Sequence, residues 1–427
     1  MRVAVLSDFE TQGGAAVATS RALAALAARG HEIHRIVCRP LPAATTPHPW
    51  HTHPLHWRTC RSTSSRVLRK LLPAAARQRS DQIVVERALE SLLAKIKPDV
   101  IDICNIHSAL SGGWSDRLLP LASKYAPLCW TMYDMWSFTG RCAYAHNCAR
   151  FIGGCNAQCP TAQEYPALAP ELISPAWLAR RAIFNQLPAL TAVAPSRWLA
   201  AQARDGLWSN HRVEVIHTGL NLANYQLRDQ RECRSELKLS PPGPLFLAVA
   251  VDWQSPHKGA ALLLDALRSL ADLHPTLLLL GNGDLPGDTS ALNIVRLGFS
   301  TSDDLKSAAM AAADCLLHPA TAENFSNVLL EAAACGLPVA AFDIGGNAEI
   351  VSHASSGFLT PTLTGAALAD AARSTLALAA NSPYLRAEIR GQAEQRFNAH
   401  LQAQQYEALY AELIAAWRTT RAPQPAA

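Results

Sequence analysis

Residues 2–30, RVAVLSDFETQGGAAVATSRALAALAARG, carry the reading that decides the fold. The apolar run that ends at Asp8 is strand-sized, Gly13 and Gly14 make a loop, and the apolar spacing that follows has the period of a helix stopped by Gly30. Strand, glycine loop and helix form the opening unit of a doubly wound α/β sheet. Working outward, the pattern returns as HEIHRIVC at 31–38, the helical VVERALESLLAKIK at 84–97, DVIDICNIH at 99–107 and APLCWTMYD at 126–134. Apolar strands alternating with helices predict a parallel sheet covered on both faces. A second series opens near Pro241, with LFLAVAV at 245–251, a helix at 259–272, TLLLLGNGD at 276–284 and NIVRLGF at 293–299. It continues through a helix at 305–313, DCLLHP at 314–319, a helix at 327–336 and PVAAFD at 338–343. The turn-rich HTGLNLANY at 217–225 separates the two series and predicts domains at 1–218 and 219–398. The remaining 399–427 reads as a helix packing on the body and a frayed Pro/Ala tail.

A length of 427 residues fits two domains, and 49% hydrophobic with 17% charged residues excludes wholesale disorder. The charge is +4, from 38 basic and 34 acidic residues, too balanced for a surface that tracks nucleic-acid phosphates. No run approaches the ~20 apolar residues of a membrane span, and MRVAVLSDFE lacks the apolar region of a signal peptide, so a cytoplasmic protein is expected. Residues 57–79 hold Arg58, Arg61, Arg66, Arg69, Lys70, Arg77 and Arg79 without one acid, interleaved with Val67, Leu68, Leu71 and Leu72. Such a stretch is either a solvated face or a peripheral contact with an anionic membrane surface.

In doubly wound sheets, ligands bind at the carboxyl ends of the strands, where helix N-termini offer unpaired N–H groups to phosphate. The stretch ENFSNVLLE, 323–331, follows the strand DCLLHP and runs into a helix starting near Ser326. Glu323 then lies in the loop and Glu331 on the helix, so both carboxylates can accept hydrogen bonds from sugar or ribose hydroxyl pairs. Taken alone, two such acids are more often a helix-entry Glu and a solvated helix Glu.

The longer stretch ENFSNVLLEAAACGLPVAAFDIGGNAEIV resembles the retaining glycosyltransferases of family 4, which carry two Glu separated by seven residues, then Gly-Leu-Pro-Val and a Gly-Gly turn. The likeness runs back through AADCLLHP, LLGNGD, HKG, VIHTGLN and VAPSRWLA, covering most of 190–360 in the family's order. The resemblance implies a GT-B fold, two Rossmann-like domains facing across a cleft. It assigns Glu323 to the donor sugar, Glu331 to the ribose, and main-chain N–H groups at Phe325, Ser326 and Asn327 to the phosphates or sugar. Lys258, between a strand and a helix, matches the family's phosphate-binding Lys, whereas Trp253 stands where a second cation is usual. Gly281 and Gly283 at a strand end allow close approach of a ligand or are plain turn glycines. Gly13 and Gly14 match a glycine loop that approaches donor phosphate or acceptor.

NIHSALSGGW at 105–114 and WTMYDMWSFTGRCAYAHNC at 130–148 resemble segments of colanic-acid-type exopolysaccharide glycosyltransferases. His107 and Asp134 match that pattern and are the candidates for orienting donor or acceptor, while Cys104 and Tyr133 replace a common His. Cys142, Cys148, Cys155 and Cys159, separated by five, six and three residues, suit a structural zinc ion, a labile disulfide or an iron–sulfur cluster, with His146 as an alternative ligand. The other seven of 11 Cys are scattered and read as reduced thiols.

Together these features lead to the expectation of transfer from a nucleoside-diphosphate sugar, UDP or GDP, to a hydroxyl of a growing, lipid-linked glycan in exopolysaccharide synthesis, with no catalytic metal. The alternatives are a nucleotide-sugar epimerase of similar fold and a non-catalytic nucleotide-sugar-binding scaffold.

Overall fold

The computed structural model describes residues 1–39 and 48–421. Part of the Pro-rich loop, 40–47, and the Pro/Ala tail, 422–427, lie outside the described residues. The chain forms two compact units, one of Met1–His217 with the segment from Gln402 onward, the other Thr218–Leu401. The final helix therefore belongs with the first unit.

In the first unit seven strands make one sheet: β1 (Arg2–Phe9), β2 (Glu32–Arg39), β3 (His51–Pro54), β4 (Val100–Ile103), β5 (Leu128–Thr131), β6 (Thr191–Ala194) and β7 (Arg212–Val215). Their order is β3-β2-β1-β4-β5-β6-β7, and all neighbours run parallel. Alternation along β1 sends Ala4 and Leu6 to one face, against Val85, Leu89 and Leu93 of the helix Ala74–Ile96. Val3 and Val5 go to the other, against Leu23 and Leu26 of the helix Gly14–Ala28 and against Tyr406, Tyr410 and Leu413 of the final helix Ala399–Arg421. That helix is anchored by polar contacts as well. Tyr410 donates to the buried Asp102 at 2.7 Å, and Arg29 Nε donates to Glu407 at 2.8 Å. The edge strand β3, HTHP, is polar, and its His51 and His53 rings stack on His34 of β2.

The second unit has six parallel strands: β8 (Leu245–Asp252), β9 (Thr276–Asn282), β10 (Asn293–Gly298), β11 (Cys315–His318), β12 (Val339–Phe342) and β13 (Gly357–Thr360). They lie in the order β10-β9-β8-β11-β12-β13, and two apolar clusters pack on the two faces. In each sheet the strand order reverses once, between β1 and β4 and between β8 and β11. Within each unit, the loops leaving the two strands at that point diverge at the carboxyl edge of their own sheet, where doubly wound sheets bind ligands. Among the described residues no helix is long and apolar enough to cross a membrane.

Candidate functional site

At the switch point of the second sheet, β8 leads into the turn Pro256–Lys258, and β11 leads into the loop before the helix Asn327–Ala334. The two loops are fastened together. Thr321 N donates to the His257 carbonyl at 2.8 Å, and Gly259, at φ +69°, lies so close to Pro319 that a Cβ would sit 1.9 Å from its carbonyl oxygen. This brings Lys258 Nζ to 2.6 Å from Glu323 Oε1. The second wall is the Gly-Gly turn, where a Cβ on Gly345 would sit 1.8 Å from the Glu323 carbonyl oxygen and Gly346 N donates to the Asn324 carbonyl at 3.0 Å.

Burial alone would raise the Glu323 pKa, but the adjacent Lys258 charge and hydrogen bond hold it below the usual carboxylate range. His318 Nε2 stands 3.8 Å from Glu323, and burial pushes that imidazole down to about 4, leaving it neutral at physiological pH. Lys258 is therefore the counter-charge that matters. Glu331, buried on the helix, is held separately by Lys306 Nζ at 3.4 Å, which also pairs with Asp303 at 2.8 Å. Ser326 is the N-cap, Asn327 begins the helix, and Phe325 turns inward to pack edge-on against Phe397. An anion placed here meets an ammonium and a helix N-terminus, and a polyol meets carboxylate acceptors.

At the switch point of the first sheet, His107 follows β4 and Asp134 follows β5, and the two meet at 2.9 Å between Nε2 and Oδ2. Asp8, near the end of β1, places Oδ2 at 4.0 Å from the other ring nitrogen, and its Oδ1 accepts from Ala109 N at 2.9 Å. Asp134 is fixed in turn by Trp136 N at 2.9 Å. Burial would lower the His107 pKa, but the charge and hydrogen bond of Asp134, with Asp8 beyond, outweigh it and raise the pKa. Around this pair stand the Trp136 ring at 5.8 Å and the exposed Tyr165 ring, edge-on at 5.4 Å. Buried Arg180 stacks on Trp136 at 3.8 Å and donates to its carbonyl at 2.7 Å. Gly13 is the N-cap of Gly14–Ala28 at φ +86°, a conformation few other residues adopt, with open space where a Cβ would stand.

Residues 12–224 match the family pattern described as Glycosyltransferase Family 4, and residues 243–377 match Glycosyl transferases group 1. The chain belongs to the family 4 glycosyltransferases. WcaC of Escherichia coli (strain K12), described as a colanic acid biosynthesis glycosyl transferase, is 28% identical to this family member over 223 residues, 50% of this chain and 51% of WcaC. The chain thus spans about half the length of the curated relatives it matches. Among solved structures, the sucrose-phosphate synthase of Thermosynechococcus elongatus superposes with a TM-score of 0.70 at 20% identity, covering 97% of this chain and 100% of that one. Anabaena Alr3699/HepE in complex with UDP and glucose gives 0.66 at 18% identity, covering 97% and 100%. These likenesses show the GT-B fold.

The places where this family 4 glycosyltransferase departs from its relatives' pattern have structural explanations. Trp253 is 2% exposed, and its Nε1 donates to the Leu280 carbonyl at 3.0 Å, so it braces the end of β9. Gly281 lies over that indole, where a Cβ would stand 2.9 Å from Nε1 and 2.3 Å from the Ala250 carbonyl oxygen. Gly283, at φ +80°, crowds Asp252. Packing requires glycine at 281, and the positive φ favours it at both positions, whether or not a ligand approaches. Cys104 and Tyr133 line a water-sized cavity of about 10 Å³ with Asp102, Tyr406 and Tyr410, so they serve the seat of the final helix.

The four-thiolate zinc expectation meets a different arrangement. Among the described residues no group of three or more His, Cys, Asp or Glu is placed to hold a metal ion. Arg141 Nη1 lies 3.7 Å from the Cys142 sulfur and 3.9 Å from that of Cys159, a cation where a metal would need to sit. Cys155 instead packs beside Gly140, and His146 pairs with Glu164 at 3.4 Å. These side chains as they stand do not fit the ion. Sequence reasoning missed Asp8, His318, Lys306 and Arg180. The first two had a signal, since an ionisable residue near the carboxyl end of an apolar strand faces the crevice of such a sheet.

Proposed function

We propose that this glycosyltransferase moves a sugar from a nucleoside-diphosphate donor, UDP or GDP, to a hydroxyl of a growing lipid-linked glycan in exopolysaccharide or cell-surface polysaccharide assembly, with retention at the anomeric carbon. The observation that carries the proposal is the Lys258–Glu323 pair, held at 2.6 Å beside a helix N-terminus at the switch point. A diphosphate entering there takes over the ammonium, which releases the Glu323 carboxylate to accept from sugar hydroxyls. Glu331, kept in place by Lys306, accepts from the ribose. The similarity to WcaC supports the polysaccharide setting, and the UDP and glucose held by HepE support the donor class.

In the proposed step the bond from the anomeric carbon to the diphosphate oxygen breaks as the acceptor oxygen approaches on the same face. The acceptor proton passes to the departing oxygen. Lys258 and the main-chain N–H groups at Ser326 and Asn327 stabilise the charge that develops on the diphosphate. In the first unit, His107, locked by Asp134, is the group that orients an incoming hydroxyl.

Purified protein is tested for thermal stabilisation by UDP, GDP, ADP and dTDP, then for turnover of the matching sugar nucleotides. Lys258→Ala should lower turnover by ~10²–10³-fold and Glu331→Ala should weaken donor use, both with an unchanged fold by circular dichroism. Wild-type rates in both variants would refute the assignment. A changed sugar formed without any acceptor would replace transfer by epimerisation.

A further inference from the structure

The basic stretch 57–79 is sorted by the structure into two kinds of cation. Arg69 is turned inward, its Nε donating to Asp81 Oδ1 at 2.7 Å while its guanidinium lies 3.8 Å over the Trp57 ring. Arg61 reaches the same Asp81 at 3.3 Å, and Arg77 donates to the Leu72 carbonyl at 3.1 Å. Arg79 pairs with Glu86 at 3.4 Å. Arg66 and Lys70 are exposed and make no ion pair among the described residues. Beside them stand Val67, Leu68 and Leu71, which are 59%, 63% and 79% exposed.

Three large apolar side chains in water oppose the ordinary drive to burial, and the inward arginines hold them there. Arg69 and Arg61 meeting on Asp81 fix the helix Thr63–Arg69 to the helix Ala74–Ile96 with its apolar residues outward. A mere solvated loop has no need of a buried carboxylate holding two arginines. We propose that Val67, Leu68 and Leu71 insert into the interfacial region of an anionic phospholipid bilayer while Arg66 and Lys70 meet its headgroup phosphates. The charge selects the occupant, since the exposed cations Arg66 and Lys70 beside an exposed apolar stripe suit an anionic surface and repel an identical face on a second copy.

This placement deepens the proposed function and rests on its lipid-linked acceptor. The segment that carries the wedge is bound to the loop that carries His107. Trp57 N donates to the Gly112 carbonyl at 2.9 Å, and Trp114 Nε1 donates to the Leu55 carbonyl at 2.6 Å. A membrane contact at Val67–Leu71 therefore positions the His107 loop relative to glycans that project from the same surface.

The test is co-sedimentation of the full chain with vesicles of phosphatidylcholine alone or mixed with phosphatidylglycerol. Because the vesicles carry no glycan and the readout is binding, failure here is separate from failure of the transferase reading. The wild type is expected to sediment with the anionic vesicles and to be released by salt. Val67→Ser/Leu68→Ser/Leu71→Ser and Arg66→Glu/Lys70→Glu should each weaken partitioning by ~10-fold or more, with unchanged circular dichroism. Equal partitioning of variants and wild type, or no wild-type binding, would overturn the proposal. Light scattering that shows a dimer lost in the serine variant would also overturn it and assign the face to self-association.

Discussion

Replacing Asp102 by Asn should remove a pH dependence that the first unit carries in its core. Asp102 is fully enclosed between the sheet and the final helix, where Thr131 N at 3.1 Å, Thr131 Oγ1 at 2.8 Å and Tyr410 Oη at 2.7 Å donate to it. Burial outweighs those donors and pushes its pKa from 3.8 up to about 6. A carboxyl group whose folded pKa is raised contributes stability that is fully present below the unfolded pKa and is lost as pH rises through the folded value. The shift is about two units, so the wild type should be less stable at neutral pH than near pH 4 by about 2 kcal/mol from this group alone. Asn does not titrate; with its amide nitrogen in place of Oδ2, the Thr131 and Tyr410 hydroxyls must both turn to accept, which adds a constant offset that does not vary with pH. Urea unfolding of both proteins across this range should give a stability difference that grows in the variant's favour as pH rises. Hydrogen exchange of amides in the helix Ala399–Arg421 should report the same trend locally. A difference independent of pH would refute the reasoning, since every other titrating group is common to the two chains.

Gly345→Ala places a Cβ 1.8 Å from the Glu323 carbonyl at φ +54°, so it should displace the Glu323 loop. Donor affinity should drop by ~10-fold or more while the fold survives, and an unchanged nucleotide-induced thermal shift would count against the assigned wall. Asp134→Asn takes away the main influence that raises the His107 pKa and leaves burial dominant. The limb of the pH–rate profile governed by His107 should then move to lower pH, and a limb that stays put would remove His107 from the rate-controlling ionisations.

The parallel, doubly wound character of both units was legible because strands such as LFLAVAV and DCLLHP are apolar throughout and alternate with helices of clear period. The polar edge strand β3 was not, because HTHP has no burial pattern to betray it. Glu323, Glu331 and Lys258 came from a local motif. The loop contacts that bring two of them together, Thr321 on His257 and Gly259 on Pro319, are long-range and invisible in a linear reading. Lys306 sits on a different helix from the Glu331 it holds, and Asp8 lies 99 residues before His107. Cysteine spacing carried no information about Arg141, whose guanidinium lies beside the thiols of Cys142 and Cys159. The final helix showed its period but not its seat, which depends on Asp102 and Arg29 far upstream.

The return of the chain to its first unit after Leu401 makes the second unit an insertion rather than a tail. Its entry and exit run side by side, with Leu220 N donating to the Phe397 carbonyl at 2.7 Å and Ala399 N to the Leu220 carbonyl at 3.0 Å. A guest joined at neighbouring strands can be lifted out or exchanged without pulling its host apart. Under the proposed function, a homologous cassette spliced at these two junctions would bring a new sugar nucleotide to an unaltered host. Truncation after Leu401, by contrast, would strip the host of the helix that seals Asp102.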